Sequence, residues 1–315
     1  MEVNYKDITA QPENDIQFWN VARGIKGNED ALAKGRISAT GSYELPAGAS
    51  AKIAKAMEKE SVFRNIATEI KAYKSGYHIF SKDCKDLAQF IPENGELPVY
   101  DGMKDFDVNA IGSHKLAALV KMDEDFVRDA VFGLESYLIG RFAKNFGRAE
   151  DNVFINGTGE DEPTGILHGS NGAEIGVTTA SITYDDVIAL YFSVEKEYRK
   201  NGVWMMNDST ALMLRTLKDA DGNYLWNHAD DTLLGKQVII SEYMPDAAEG
   251  AKPIAFGDFS YYWIIDRKPV SVRTLIERFA VLGQVGYLAF KFLDGKLIRR
   301  DAVKVIQIKN PDQNV

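Results

Sequence analysis

DEDFVRDAVFGLESYLIGRFAKNFGRAEDNVFINGTGEDEPTGILHG, residues Asp123 to Gly169, sets the architecture of the chain. Val127, Val131, Leu134, Leu138, Phe142 and Phe146 recur at spacings of four and three, which keeps one face of an α-helix buried. Arg128, Asp129, Glu135, Arg141, Lys144 and Arg148 fall on the opposite side, and Asp123, Glu124 and Asp125 supply the negative charge that a helix N-terminus favours. The pattern predicts a single helix from Asp123 through Ile155, ended by a left-handed turn at Gly157. Such a helix has about 33 residues and a length of roughly 50 Å, enough to act as a beam. Gly133, Gly140 and Gly147 repeat every seven residues, and each costs about 1 kcal/mol of helix propensity against Ala. A close neighbour along that seam is therefore expected.

The end of the stretch carries a resemblance. Phe154-Ile155-Asn156-Gly157-Thr158-Gly159, followed by Pro163-Thr164-Gly165-Ile166-Leu167, is similar to the signature of tailed-phage major capsid proteins with the Hong Kong 97 fold. In that family a long spine helix ends in an Asn-Gly-x-Gly turn, and a Pro-x-Gly-Ile/Leu segment leads out of it. Elements on both sides fall in the family order from about Tyr43 onward. The resemblance implies an α+β fold with a long spine helix, a narrow β-sheet peripheral domain, an α/β axial domain, an extended β-hairpin loop and an N-terminal arm. On that reading residues 1–45 are the arm, 46–72 begin the peripheral domain and 73–118 form the hairpin loop. Residues 119–165 carry the spine helix, 166–260 the axial domain, 261–301 the peripheral sheet, and 302–315 a return strand to the axial domain with a polar tail.

The implied function is that of a major capsid protein, self-assembling into hexamers and pentamers of an icosahedral phage or prophage head around double-stranded DNA. A bacterial nanocompartment shell of the encapsulin kind, with the same fold, is the alternative. The partners implied are further copies of the chain, DNA held without sequence-specific binding, and a scaffold, maturation protease and portal. The scaffold is either a separate protein or a segment already removed. The location implied is the virion, after assembly in the bacterial cytoplasm.

Composition fits that reading. A chain of 315 residues with 45% hydrophobic content can bury a core in two subdomains. A net charge of −9 argues against a dedicated nucleic-acid-binding surface, which would concentrate Lys and Arg against phosphates. The lone Cys84 excludes an internal disulfide framework, and no apolar run is long enough to cross a membrane.

In chain order, residues 1–45 are polar and glycine-interrupted, unable to close a core alone, with a short helix at Glu29 to Ala33. Pro46 to Glu60 reads as a short helix with Ile53, Ala56 and Met57 on its apolar face. Val62 to Ser81 is an outgoing β segment, and Phe106 to Val120 returns with alternating apolar positions. The connection from Asp83 to Met103 is long and polar but holds Phe90, Ile91, Leu97 and Tyr100, which the resemblance makes the tip of a loop lying over a neighbouring subunit. Thr183 to Lys200 reads as one amphipathic helix, Val203 to Met206 as a buried strand, and Asn207 with Asp208 as the cap of a helix at Thr210 to Leu217. Val238 to Ile240 and Pro253 to Phe259 are further strands. Tyr262 to Ile265, Val270 to Arg273, Ala280 to Phe292 and Ala302 to Ile308 complete the β content, with Lys268-Pro269 and Asp294-Gly295 as turns. Thr274 to Phe279 would be a tip near a threefold contact.

No catalytic, cofactor-binding or metal-binding residue is assigned. His78, His114, His168 and His228 are scattered without ligand spacing, and no phosphate-binding glycine loop or nucleophile elbow occurs. Glu160, Asp161 and Glu162 share one turn and cannot flank a bond from opposite sides, which leaves a solvated turn. Some capsid proteins of the resembled family join subunits through a Lys-Asn isopeptide bond assisted by Glu. Here Lys82, Lys85 and Lys104 sit at the base of the hairpin, and Ser271 to Phe292 contains Glu277 but no asparagine. A shell without covalent cross-links is expected.

Overall fold

A computed structural model describes residues 16, 18–20, 22–23, 43–44, 47–71, 77–81, 106–110, 112–129, 133–218, 221–226 and 232–310. In chain order the elements are β1 (Tyr43–Glu44), α1 (Ala47–Glu60), β2 (Thr68–Lys71), β3 (Tyr77–Ser81), β4 (Phe106–Ala110), β5 (His114–Asp123), α2 (Glu124–Arg128) and α3 (Leu134–Asn156). There follow β6 (Glu174–Thr179), α4 (Tyr184–Ser193), α5 (Lys196–Arg199), β7 (Val203–Met206), α6 (Asp208–Arg215), β8 (Thr232–Leu233), β9 (Lys236–Ile240), β10 (Ile254–Gly257), β11 (Tyr262–Leu275), β12 (Gln284–Leu297) and β13 (Val303–Ile308).

The beam is shorter than its sequence pattern suggests. Asp129 turns extended at ψ 120° and Gly133 takes the N-cap of α3 at ψ 68°, so the pattern is split into α2 and a 23-residue α3 of about 35 Å. Glycine has the weakest helix propensity of the non-proline residues, which suits Gly133 to a helix start; at its other end α2 is tied to another element, Glu124 N–H donating to Gly283 O at 2.9 Å. Within α3 the stripe Leu134, Leu138, Phe142 and Phe146 is at most 1% exposed. Each such side chain contributes about 1.5–3 kcal/mol by leaving water. Its partner is α1, whose Ala49, Ile53 and Met57 are buried in the same core. Of the three seam glycines, Gly147 has a close neighbour, since a Cβ there would lie 3.1 Å from Glu60 Cβ, while Gly133 and Gly140 meet nothing within 4 Å among the described residues.

One sheet has the order β1-β11-β12-β5, with β2 joined parallel to β11. β11 and β12 are 14 residues each and pair antiparallel almost end to end. The two turns expected within them are not turns. Lys268-Pro269 sits at a register irregularity inside β11, a place where proline's missing N–H costs no ladder bond, and Asp294-Gly295 lies within β12. The reversal is made instead by a 3-10 helix, Glu277–Leu282, closed by Gly283 at φ 60°.

β3 and β4 form a two-stranded sheet of their own, in register Tyr77↔Ala110 to Ser81↔Phe106. Only the outer halves of the two expected strands form this hairpin: Thr68–Lys71 of the outgoing segment pairs with β11 as β2, and the returning segment from His114 on pairs with β12 as β5. The loop from Asp83 to Met103 lies outside the described residues, as does the helix expected at Glu29 to Ala33. Part of the expected arm has a place on the body: Phe18, Trp19 and Ala22 are buried in the α1/α3 core, and Tyr287 donates from its hydroxyl to Ala22 O at 2.8 Å. These apolar residues are covered by the chain's own α3 and β12 side chains, so this segment is not wholly a reach toward neighbours.

The second sheet has the order β6-β13-β10-β7-β9-β8. β13 enters it from the far end of the chain, parallel to β6. The helix expected over Thr183 to Lys200 is interrupted, because Val194 and Glu195 are extended at ψ 138° and 149°. α4 starts with a capping box in which Thr183 and Asp186 bond each other's backbone N–H. α6 starts with Asn207 accepting from Thr210 N–H. The two sheets share a core: Phe154, Ile155, Tyr262, Ile264, Leu293 and Leu297 pack in one cluster with Met205, Ile239, Ala255, Val303 and Val305.

Candidate functional site

The glycine-rich turn after α3 is the joint of the molecule. Its chain doubles back so closely that Gly165 N–H donates to Gly157 O at 2.9 Å, Ile166 N–H to Phe154 O at 2.8 Å and Leu167 N–H to Ile155 O at 3.0 Å. A Cβ at Gly157 would lie 2.1 Å from Pro163 O, and one at Gly165 would lie 2.5 Å from Ile155 O. Gly157 is not left-handed, as its φ is −58°. Close approach requires it, and the positive φ belongs to Gly159 at 77°. From this turn the bonds run outward to β11 and β12 on one side and to the turn after β9 on the other. Thr164 N–H donates to Gly295 O, Tyr262 donates from its hydroxyl to Thr164 O, and Asn156 donates from its amide to Tyr243 O.

Behind the joint lies a buried ion network that sequence reasoning missed. Arg64 donates from Nε to Glu150 Oε2 at 2.6 Å, from Nη1 to Glu69 Oε1 at 2.6 Å, and from Nη1 and Nη2 to the two Asp266 oxygens at 3.1 Å. Lys291 Nζ lies 2.6 Å from Glu150 Oε1 and 3.1 Å from Asp266 Oδ1. The network joins the 3-10 turn Phe63–Asn65, α3, β2, β11 and β12. Burial pushes the Asp266 carboxyl up, but Lys291 and Arg64 outweigh it and hold it at about 2. The Arg64 guanidinium is opposed by burial and held protonated by Glu150 and Asp266. Next to it Asp151 accepts from Ser61 Oγ and from the N–H groups of Val62 and Phe63, yet burial keeps its carboxyl above the ordinary range. The signal was in the sequence: Glu150 continues the stripe 134, 138, 142, 146 by four residues, and Lys291 shares the parity of Val285, Tyr287, Ala289 and Leu293. Two charges on buried stripes imply that they meet.

The two histidines whose side chains are described have separate surroundings. His114 Nε2 lies 3.6 Å from Asp294 Oδ1, His168 Nδ1 accepts from Asn171 N–H, and the side chains of His78 and His228 lie outside the described residues, as does Cys84. Among the described residues no group of three His, Cys, Asp or Glu side chains could hold a metal ion. Glu162 accepts from Thr158 N–H and Glu160 and Asp161 are exposed, which makes the acidic segment a turn closure. No helix among the described residues is long and apolar enough to cross a membrane. Apolar side chains do reach the surface at the tip of the β11–β12 hairpin, where Ile276 is 46%, Val281 98% and Leu282 64% exposed.

The buried joint and the exposed apolar tip are the features against which known proteins can be compared. The family profile of the phage capsid family matches residues 41–308. The capsid of a native GTA particle superposes with a TM-score of 0.67 at 31% identity, covering 78% of this chain and 89% of that one. Microbacterium phage Oxtober96 gives a TM-score of 0.60 at 16% identity, covering 89% of this chain and 98% of that one, which shows the shared fold. A capsid polyprotein of Pseudomonas phage PAJU2 is 27% identical over 156 residues, 47% of this chain and 23% of that much longer protein. The chain belongs to the phage capsid family and is a capsid protein with the Hong Kong 97 fold; the nanocompartment alternative is not favoured.

Proposed function

We propose that the chain is the major shell subunit of an icosahedral phage or prophage head, arranged in rings of six and five around double-stranded DNA that it contacts without reading its sequence. The observation that carries this is the likeness to a GTA capsid subunit across most of both chains. The exposed Ile276, Val281 and Leu282 support it, being apolar surface that the subunit itself leaves in water. Heterologous contacts close into rings when the rotation between copies closes. The division sketched from the sequence is retained as part of this reading, with α3 and the β11–β12 sheet peripheral, the six-stranded sheet axial, and the tip near a threefold contact, moved from Thr274 to Phe279 onto the 3-10 helix Glu277–Leu282. The role is structural, without catalysis, and assembly takes place in the cytoplasm with a scaffold, protease and portal as partners. Expression of the full chain followed by electron microscopy tests it. Closed shells of uniform size are expected, and particles that never exceed small oligomers across protein and salt concentrations would overturn it.

A further inference from the structure

We propose that Gly112, Arg267 and Asp294 form a latch that fixes the angle at which the β3–β4 hairpin leaves the body, and that shell formation needs the latch closed. The second half of the proposal rests on the capsid reading above. His114↔Leu293 is the last pair of β5 with β12, and Gly112 and Ser113 before it belong to no strand. Two residues before that point the Gly112 backbone is gripped on both sides. Its N–H donates to Asp294 Oδ2, and its carbonyl accepts from Arg267 Nε at 3.0 Å and Nη2 at 2.9 Å. Both gripping residues are buried, Arg267 at 7% and Asp294 at 9% exposure.

The strands are shaped to present these two side chains. Arg267 has no partner in the β11–β12 register, because the irregularity between Asp266 and Lys268 takes it off the ladder. Such a bulge re-aims a side chain. Asp294 is held in turn by Gly295 N–H, which donates to its Oδ1 at 2.8 Å, and it lies one residue beyond the last β5 pair. The irregularity that begins beside Lys268-Pro269 and the regular pair Asp294-Gly295, both of which look like turns in the sequence, thus flank the two side chains that hold Gly112. A side chain at 112 would push on the latch itself: a Cβ would lie 2.9 Å from Asp294 Oδ2 and 3.1 Å from His114 Nε2, so Asp294 would have to shift to admit it. Charge-assisted bonds from two buried groups to the two peptide units that meet at Gly112 define the orientation of both, and with it the direction of the strand they feed.

The test uses the full chain with Cys84→Ser, kept unassembled at low concentration, with spin labels at Asp107→Cys in β4 and Lys309→Cys after β13. The parent should give a narrow distance distribution. Gly112→Ala and Arg267→Met should each broaden it while the thermal midpoint shows that the body remains folded. Arg267→Lys, which keeps the charge and one donor, should restore part of the narrowness, and it serves in place of Arg267→Met should that variant not fold. In Asp294→Asn the Gly112 amide should exchange with solvent about tenfold faster, as expected for weakening one charge-assisted bond. Distributions equally narrow in parent and variants would overturn the latch. Broadened distributions with normal shell yield would overturn its role in assembly. A parent that forms no shells would overturn the capsid reading, while the distances would still decide the latch.

Discussion

Glycines in this chain divide by what surrounds them, and the difference predicts opposite outcomes. Gly165→Ala puts a methyl 2.5 Å from two backbone atoms of the joint, so a loss above about 3 kcal/mol in denaturant unfolding is expected. Gly140→Ala meets nothing within 4 Å on α3 and should stabilise the subunit by about 0.5–1 kcal/mol through helix propensity alone. Charge makes a second residue-scale prediction. Asp266 sits at about 2 when folded and near 3.9 in an unfolded chain, so its contribution is complete above about pH 4 and is lost as pH falls from about 4 to 2. The amount is about 2 kcal/mol. Asp151 works the other way, since its raised carboxyl takes up a proton more readily in the folded state. Acid titration of stability should therefore be steeper in the parent chain than in Asp266→Asn, and equal slopes would remove the network from the account.

Elements were legible from sequence wherever one physical signal acted alone. The stripe of α3, the alternation of β5 and the Asn207 cap each report burial or a local hydrogen bond, and each is found in place. The readings that failed were those in which tertiary contacts overrode a local signal. Gly133 was expected inside the beam but heads a new helix, and Pro269 was expected to reverse a strand that in fact continues with an irregularity. Val194 and Glu195 break a helix whose apolar period runs on without interruption. The ion network was missed because its members are drawn from five elements, from Arg64 to Lys291, and only the places of Glu150 and Lys291 on buried stripes point to it. At this scale the β11–β12 tip gives the clearest test. Val281→Asp with Leu282→Asp should change subunit stability by less than about 0.5 kcal/mol, these side chains being in water already, yet shell yield in sedimentation should collapse. Unchanged yield would show that the tip touches no neighbour.

For the whole molecule, removal of Asp83 to Met103 should leave a folded subunit, judged by circular dichroism, that no longer builds shells; normal heads from that variant would contradict the hairpin's role. Assembled particles boiled in denaturant should run as a single monomer band, because Ser271 to Phe292 offers no asparagine for an isopeptide bond, and a ladder would refute this. One further consequence belongs to the core that Phe154, Tyr262, Met205 and Val305 build between the two sheets. A tile fused through its middle cannot crease along that line. Places of different curvature in a closed surface must therefore be reached by tilting whole tiles against each other, so their seams, rather than their interiors, should decide how large a container they enclose.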